Sequence, residues 1–275
     1  MGRRDRSGVA GWVLVLAAAS AAALGAGSPR SDSLATQETR PGEPAADGEA
    51  PVEDLRAGGD PAKRFFLLVP EAGAKAPRRG FGLVVILPGG AGGEDFLGFV
   101  KNIRRHALSD EYLVAQLVSP VRAPEPKVVW PTSRNRAPGI EFTTEEFVEA
   151  VLSEVARRHR IDPKRTFLLA WSSGGPAAHA VILENRRVAG AFIAMSVFHP
   201  DLLPSLRAAR GRAYYLLQSP EDKITPYRFA VEAEEALRKA GARVSLVSYE
   251  GGHGWHGDVY GHLRAGFEWL RTRGR

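Results

Sequence analysis

The sequence predicts an α/β protein in which a mostly parallel central sheet is covered by helices on both faces. Two observations carry this. Short apolar runs rich in β-branched residues, of which Phe81–Leu87 is the clearest, alternate along the chain with stretches of helical length, and alternating strands and helices imply parallel pairing through helical crossovers. The run Thr166–Trp171 also passes directly into Ser172-Ser173-Gly174-Gly175 and then an Ala-rich segment, a strand–turn–helix layout that presents a serine at its tip. Of the 275 residues, those after the N-terminal region suffice for one such domain with an ample core, and no internal repeat is visible.

Taken in order, a strand is expected near Arg64–Val69 and another over Phe81–Leu87, the latter apolar throughout and so buried on both faces. A helix follows across Glu94–Ala107, then a strand at Tyr112–Val118. The Pro-rich segment 119–138, carrying Trp130 and Arg134, reads as a long crossover loop near the mouth of a site. A helix spans Thr144–His159, and the strand ending at Trp171 leads into a helix reaching Leu183. Strands are expected at Val188–Val197 and Ala213–Gln218, with Pro226 opening a helix near Tyr227–Ala240. The last strand is Arg243–Tyr249 and the last helix Asp258–Arg273.

The N-terminal region has a different composition. Arg3, Arg4 and Arg6 precede the apolar, Ala-rich run Val9–Leu24 and the small residues Gly25–Ser28, a signal-peptide pattern over 1–27. The alternative is an uncleaved membrane anchor, disfavoured because the apolar run is shorter than the roughly 20 residues of a spanning helix; no stable membrane insertion is expected after cleavage. Export to the periplasm or the extracellular space is the expectation. Residues 28–60 are rich in Pro, Gly, Ala, Glu and Ser without periodicity and are expected to form a disordered linker, leaving 61–275 as the functional domain. Cysteine is absent, which excludes both a disulfide framework and a lipid-modified cysteine. The formal charge of +6 is spread beside acidic residues with no nucleic-acid motif, so it reads as solvated surface.

The chemistry begins at Ser172. In a tight strand-to-helix turn the residues two before and two after the exposed serine must be small. Ser172 has Ala170 and Gly174 there, whereas Ser173 would need an indole, Trp171, to fit. Upstream, Phe81–Leu87 opens into Pro88-Gly89-Gly90-Ala91-Gly92-Gly93, a loop whose backbone can approach a developing negative charge. Gly90 and Ser173 are the candidate N–H donors. A phosphate cradle is disfavoured because neither a Gly-Lys-Ser/Thr ending nor Gly-x-Gly-x-x-Gly spacing occurs.

Downstream, the strand ending at Gln218 runs into Ser219-Pro220-Glu221-Asp222, where a carboxylate can orient a histidine. Asp222 fits best, with Glu221 as rival. After the last strand comes Glu250-Gly251-Gly252-His253-Gly254-Trp255-His256, a glycine-flanked loop from which His253 can act as base near neutral pH. His256 is the alternative, and follows the Gly-Gly pair less directly. A metal site at His253, His256 and Asp258 is disfavoured, because no helix-borne His pair or cysteine set completes a coordination sphere. The remaining histidines read as structural or surface residues.

With these motifs the chain resembles the α/β-hydrolases, and more narrowly the secreted esterases grouped with the polyhydroxybutyrate-depolymerase, feruloyl-esterase and dienelactone-hydrolase-like families. The resemblance rests on Ile161–Thr166 leading to Ser172–Gly175 and on Gly251–Trp255, and it covers roughly everything after position 60. It implies an α/β-hydrolase fold, no cofactor, and cleavage of a small-molecule or polymer ester through an acyl-enzyme on Ser172, His253 and Asp222. Ala170 stands where glycine is commoner in these families. Pro88-Gly89 stands where His-Gly is commoner, which removes a side chain that often braces the oxyanion loop. A serine peptidase of the prolyl-oligopeptidase type is the alternative enzyme on this framework, and a binding protein that has lost activity is the non-enzymatic one. Trp171, Trp255 and Trp130 are the candidate substrate contacts, and the ring of Trp171 can either flank the cleft or pack into the core.

Overall fold

A computed structural model describes residues 50–70, 75–122 and 126–273. The signal-peptide expectation over 1–27 lies outside the described residues, as does the linker expectation up to residue 49. The strands are β1 (Val52–Arg56), β2 (Arg64–Leu68), β3 (Phe81–Leu87), β4 (Tyr112–Leu117), β5 (Ile161–Trp171), β6 (Gly190–Ala194), β7 (Ala213–Gln218) and β8 (Arg243–Ser248). The helices are α1 (Leu97–Ala107), α2 (Thr144–Arg158), α3 (Gly175–Glu184), α4 (Arg228–Lys239) and α5 (Val259–Arg273).

The strands form one sheet of eight in the order β1-β2-β4-β3-β5-β6-β7-β8. From β4 to β8 every pairing is parallel, while β2 is antiparallel to β4 and β1 to β2. The strand period of two sorts side chains between two cores. Leu83, Val85 and Leu87 of β3 face α2, α3 and α4, and Val84 and Ile86 face α1 and α5. Leu237 of α4 and Ile103 of α1 are fully buried, one on each side. Helix α2 starts where its sequence says it should. The Thr143 hydroxyl accepts from the Glu146 N–H at 3.1 Å, and the Glu146 carboxylate accepts from the Thr143 N–H at 2.7 Å.

Three details depart from the sequence expectation. The 28–60 linker expectation does not hold for its last residues, because Val52–Arg56 pairs along β2 from Val52 opposite Leu68 to Arg56 opposite Arg64. An ion pair of Arg64 with Asp54 closes over this edge at 3.0 Å. Strand β5 begins at Ile161, and the residues between Ile161 and Thr166 bulge out of register with β3. Strand β6 ends at Ala194 rather than at Val197, because Met195 turns the chain away with φ +40°.

Chain order reverses between β3 and β5. The chain leaves β3 toward β4 on one side and returns to β5 on the other, and a crevice opens beyond the strand ends at such a switch point. The glycine loop after β3 and the serine turn after β5 flank that crevice.

Candidate active site

Ser172 has φ +50° and is one of two non-glycine residues in the left-handed region among the described residues. This strain is what a tight strand-to-helix turn imposes, and it persists only where surrounding packing enforces it. The size filter inferred from sequence has a direct counterpart: a Cβ on Gly174 would lie 2.2 Å from the Leu87 carbonyl oxygen. No side chain fits there unless the backbone moves. Ala170, on the other flank, is fully buried.

The Ser172 Oγ lies 3.1 Å from His253 Nε2, and His253 Nδ1 lies 2.8 Å from Asp222 Oδ2. Serine, imidazole and carboxylate therefore form one hydrogen-bonded line drawn from the ends of β5, β8 and β7. The Asp222 side chain is fully buried, whereas that of His253 keeps 24% of its surface exposed. Burial alone would raise the Asp222 carboxyl. The Thr225 hydroxyl, the Thr225 N–H and the His253 ring outweigh it and hold the carboxyl below its usual range. The Thr225 hydroxyl donates to Oδ2 at 2.6 Å, and the N–H groups of Ile224 and Thr225 donate to Oδ1 at 2.8 Å each.

The rivals are placed elsewhere. The Glu221 carboxylate accepts from the Gly251 N–H at 3.0 Å, tying the acid loop to the histidine loop without reaching the imidazole. His256 is exposed, stacks over Tyr249 with ring centroids 6.4 Å apart, and reaches only the His253 carbonyl at 3.4 Å. Asp258 accepts from the Gly261 N–H at 2.8 Å at the start of α5. Among the described residues, no group of three or more His, Cys, Asp or Glu side chains is arranged to hold a metal ion. The Tyr249 hydroxyl lies 2.9 Å from the Gly252 carbonyl and 2.8 Å from that of Gly254, bracing the histidine loop on either side of His253. Burial, and next the Asp222 charge, push its phenol upward, so it stays a neutral donor.

The glycine loop packs onto the serine turn. A Cβ on Gly89 would lie 2.6 Å from the Trp171 ring and 3.1 Å from the Ser172 Cβ, so glycine is required for this approach. The Ser173 hydroxyl donates to the Gly90 carbonyl at 2.8 Å and holds the two segments together. Gly90 and Ser173, the candidate oxyanion donors, are thus adjacent across the crevice.

Of the three candidate substrate contacts, two are buried, and Trp171 takes the core placement that its sequence left open. Trp171 is 3% exposed and packs edge-on to Phe96, Phe99 and Trp255, with centroids 5.3, 5.8 and 5.8 Å away. It belongs to the core on the α1 and α5 face, where it replaces contacts with water by aromatic packing. Trp130 is also 3% exposed, and its indole N–H donates to the Pro88 carbonyl at 3.0 Å. That bond braces the glycine loop after β3, which begins Pro88-Gly89. Trp255 is half-buried beside the histidine loop and packs on Phe99 at 5.6 Å.

Sequence reasoning missed Thr225, Tyr249 and the Ser173 hydroxyl. Thr225 had a signal, because Asp-x-x-Thr is the spacing at which a turn aspartate accepts from the backbone ahead of it. The other two depend on contacts that no local pattern encodes.

No protein-family model and no curated protein matches the sequence. Solved structures do. A Bacillus cereus carboxylesterase is 16% identical with TM-score 0.56, over 76% of this chain and 93% of that one. A truncated carbohydrate esterase from gut microbiota is 14% identical with TM-score 0.61, over 83% and 99%. A bacterial heroin esterase is 18% identical with TM-score 0.58, over 83% and 86%. The protein has the α/β-hydrolase fold.

Proposed function

We propose that the protein is a serine hydrolase that cleaves carboxylic esters. The observation that carries this reading is the hydrogen-bonded line Ser172, His253, Asp222, with the serine held in a strained turn beside backbone donors. In the first step Ser172 Oγ attacks the ester carbonyl while His253 Nε2 takes its proton, and the oxyanion is held by the Gly90 and Ser173 N–H groups. Asp222 keeps the imidazole oriented and stabilises its charged form. Collapse releases the alcohol, which takes the proton back from His253. Water, activated by the same imidazole, then cleaves the acyl-serine. The names of the structural neighbours, esterases of several kinds, agree with this chemistry. Export belongs to the proposal and rests on the N-terminal sequence alone.

The test is a serine-directed fluorophosphonate followed by mass mapping, together with turnover of aryl and alkyl esters. The expected adduct is on Ser172, lost in Ser172→Ala. A folded protein that hydrolyses none of the esters and takes no adduct, or takes it on Ser173, overturns the reading.

A further inference from the structure

The second strained non-glycine residue, Met195 with φ +40°, lies at the end of β6, a strand that contributes nothing to the Ser172, His253, Asp222 line. Strain at a fully packed position calls for a reason. Met195 is 2% exposed, and its N–H makes the last ladder bond to the Leu217 carbonyl at 2.8 Å. The turn that follows places Ser196 between the serine turn and the acid loop. The Ser196 hydroxyl donates to the carbonyl of Ser172 itself at 2.9 Å, and the Ser196 N–H donates to Gln218 Oε1 at 3.0 Å. The other end of that amide, Gln218 Nε2, donates to Asp222 Oδ2 at 2.9 Å and to the Thr225 carbonyl at 2.6 Å.

These contacts form a continuous buried path from the backbone of the nucleophile to the oxygen of Asp222 that faces His253. Gln218 is 2% exposed and Ser196 7%. Both ends of the Gln218 amide are engaged, so its orientation is fixed by the network. The path also constrains the serine turn. A Cβ on Gly175 would lie 2.0 Å from the Ser196 hydroxyl, so the helix start is kept bare to admit that contact. A buried polar network of this kind is retained only if each member is satisfied, and then it rigidifies what it joins.

We infer that Ser196 and Gln218 are positioning residues that lock the nucleophile turn and the acid loop into one frame. They act through Ser172 and Asp222 rather than by touching substrate. The inference rests on the proposed esterase reading, and its test starts by separating the two: fluorophosphonate labelling of the native protein at Ser172 must succeed first, and its failure would sink the esterase reading alone.

With labelling established, Gln218→Met, which fills similar volume without the amide, is expected to lower kcat about tenfold or more with KM little changed, since a bond to a charged group is lost. Combining it with Ser196→Ala is expected to cost no more than the worse single change, because members of one unit are not additive. Gln218→Glu supplies the readout that a packing role would not move. The titratable groups around this point are His253 and His256 on the histidine loop, Tyr249 at the exit of β8, Glu221 beside Asp222, and His179 of α3, which lines the same cavity as Ser196 and Gln218. Two carboxyls buried in contact do not both ionise, so the new one keeps its proton and donates to Asp222 Oδ2 where the amide did. Gln218→Glu is therefore expected to recover most of the kcat that Gln218→Met loses, and to lose it again at higher pH as the shared proton leaves. A folded Gln218→Glu protein no more active than Gln218→Met at every pH overturns the inference. If Gln218→Glu does not fold, the decision passes to Gln218→Met, where an unchanged kcat, or equal changes in KM and kcat, overturns it.

Discussion

At the scale of single residues, the acid is the sharpest point of decision. Asp222→Asn keeps the shape but cannot hold the imidazole in the same tautomer, and turnover is expected to fall by about 10⁴. Glu221→Gln keeps an oxygen to accept from Gly251 and loses only the charge, so it is expected to stay within about tenfold of the native rate. Paired ester-hydrolysis rates for the two variants check this, and comparable losses would return Glu221 to contention. Trp130→Phe removes the bond to the Pro88 carbonyl while keeping most of the packing, so kcat is expected to drop with little change in KM. Ser172 was legible in the sequence because its constraint is local: two small neighbours at fixed offsets. The core placement of Trp171, one of the two readings left open for it, was legible in the strand period. Phe167, Leu169 and Trp171 alternate onto one face of β5, and the first two are fully buried there. Trp130 had no such signal, since its partner lies 42 residues away.

At the scale of elements, the serine turn and the first strand make opposite demands. The turn tolerates no bulk. Gly174→Ala would drive a methyl into the Leu87 carbonyl, and overpacking of this kind costs about 1–3 kcal/mol. The expected outcome is a lower unfolding midpoint together with lost fluorophosphonate labelling; a variant that is fully active and as stable as the native protein would mean the turn is looser than drawn. Strand β1 covers β2, whose Phe65, Leu67 and Leu68 are fully buried. A protein truncated before Ala57 bares that edge and is expected to associate, as judged by size-exclusion chromatography and light scattering. The strands and helices from β2 onward were legible because long apolar runs and amphipathic stretches declare themselves. Strand β1 was not. Its Val52 and Leu55 are separated by charges, and what makes Val-Glu-Asp-Leu-Arg a strand is its partner β2 and the Arg64–Asp54 ion pair.

At the scale of the whole molecule, stability should depend on pH through a histidine that takes no part in the chemistry. His179 of α3 is buried between Phe198 and Tyr214, with ring centroids 5.1 and 5.9 Å away, and burial depresses its imidazole to about 3. In the unfolded chain a histidine titrates near ~6.5. Between these values the unfolded state takes up a proton that the folded state refuses. The contribution is therefore fully present above the unfolded value and is lost as pH falls toward the folded one, by about 1.4 kcal/mol per unit. Urea midpoints measured across the mildly acid range are expected to fall for the native protein and to flatten for His179→Phe. Parallel slopes in the two proteins would assign the acid sensitivity elsewhere.

The direction of β1 has a practical consequence for anyone fixing this protein to a surface. Val52 pairs with Leu68, and Leu68 with Val114 near the start of β4, so the chain enters the sheet on the edge opposite the strand ends that carry Ser172, Asp222 and His253. A support coupled at residue 50 or 51, immediately before β1, leaves the crevice facing the bulk liquid, open even to an insoluble polymer. Amine-directed coupling risks the reverse orientation, because exposed Lys223 adjoins Asp222 and would draw the resin over the crevice. The same preparation could thus appear vigorous or nearly inert toward large substrates according to which end of the sheet meets the bead.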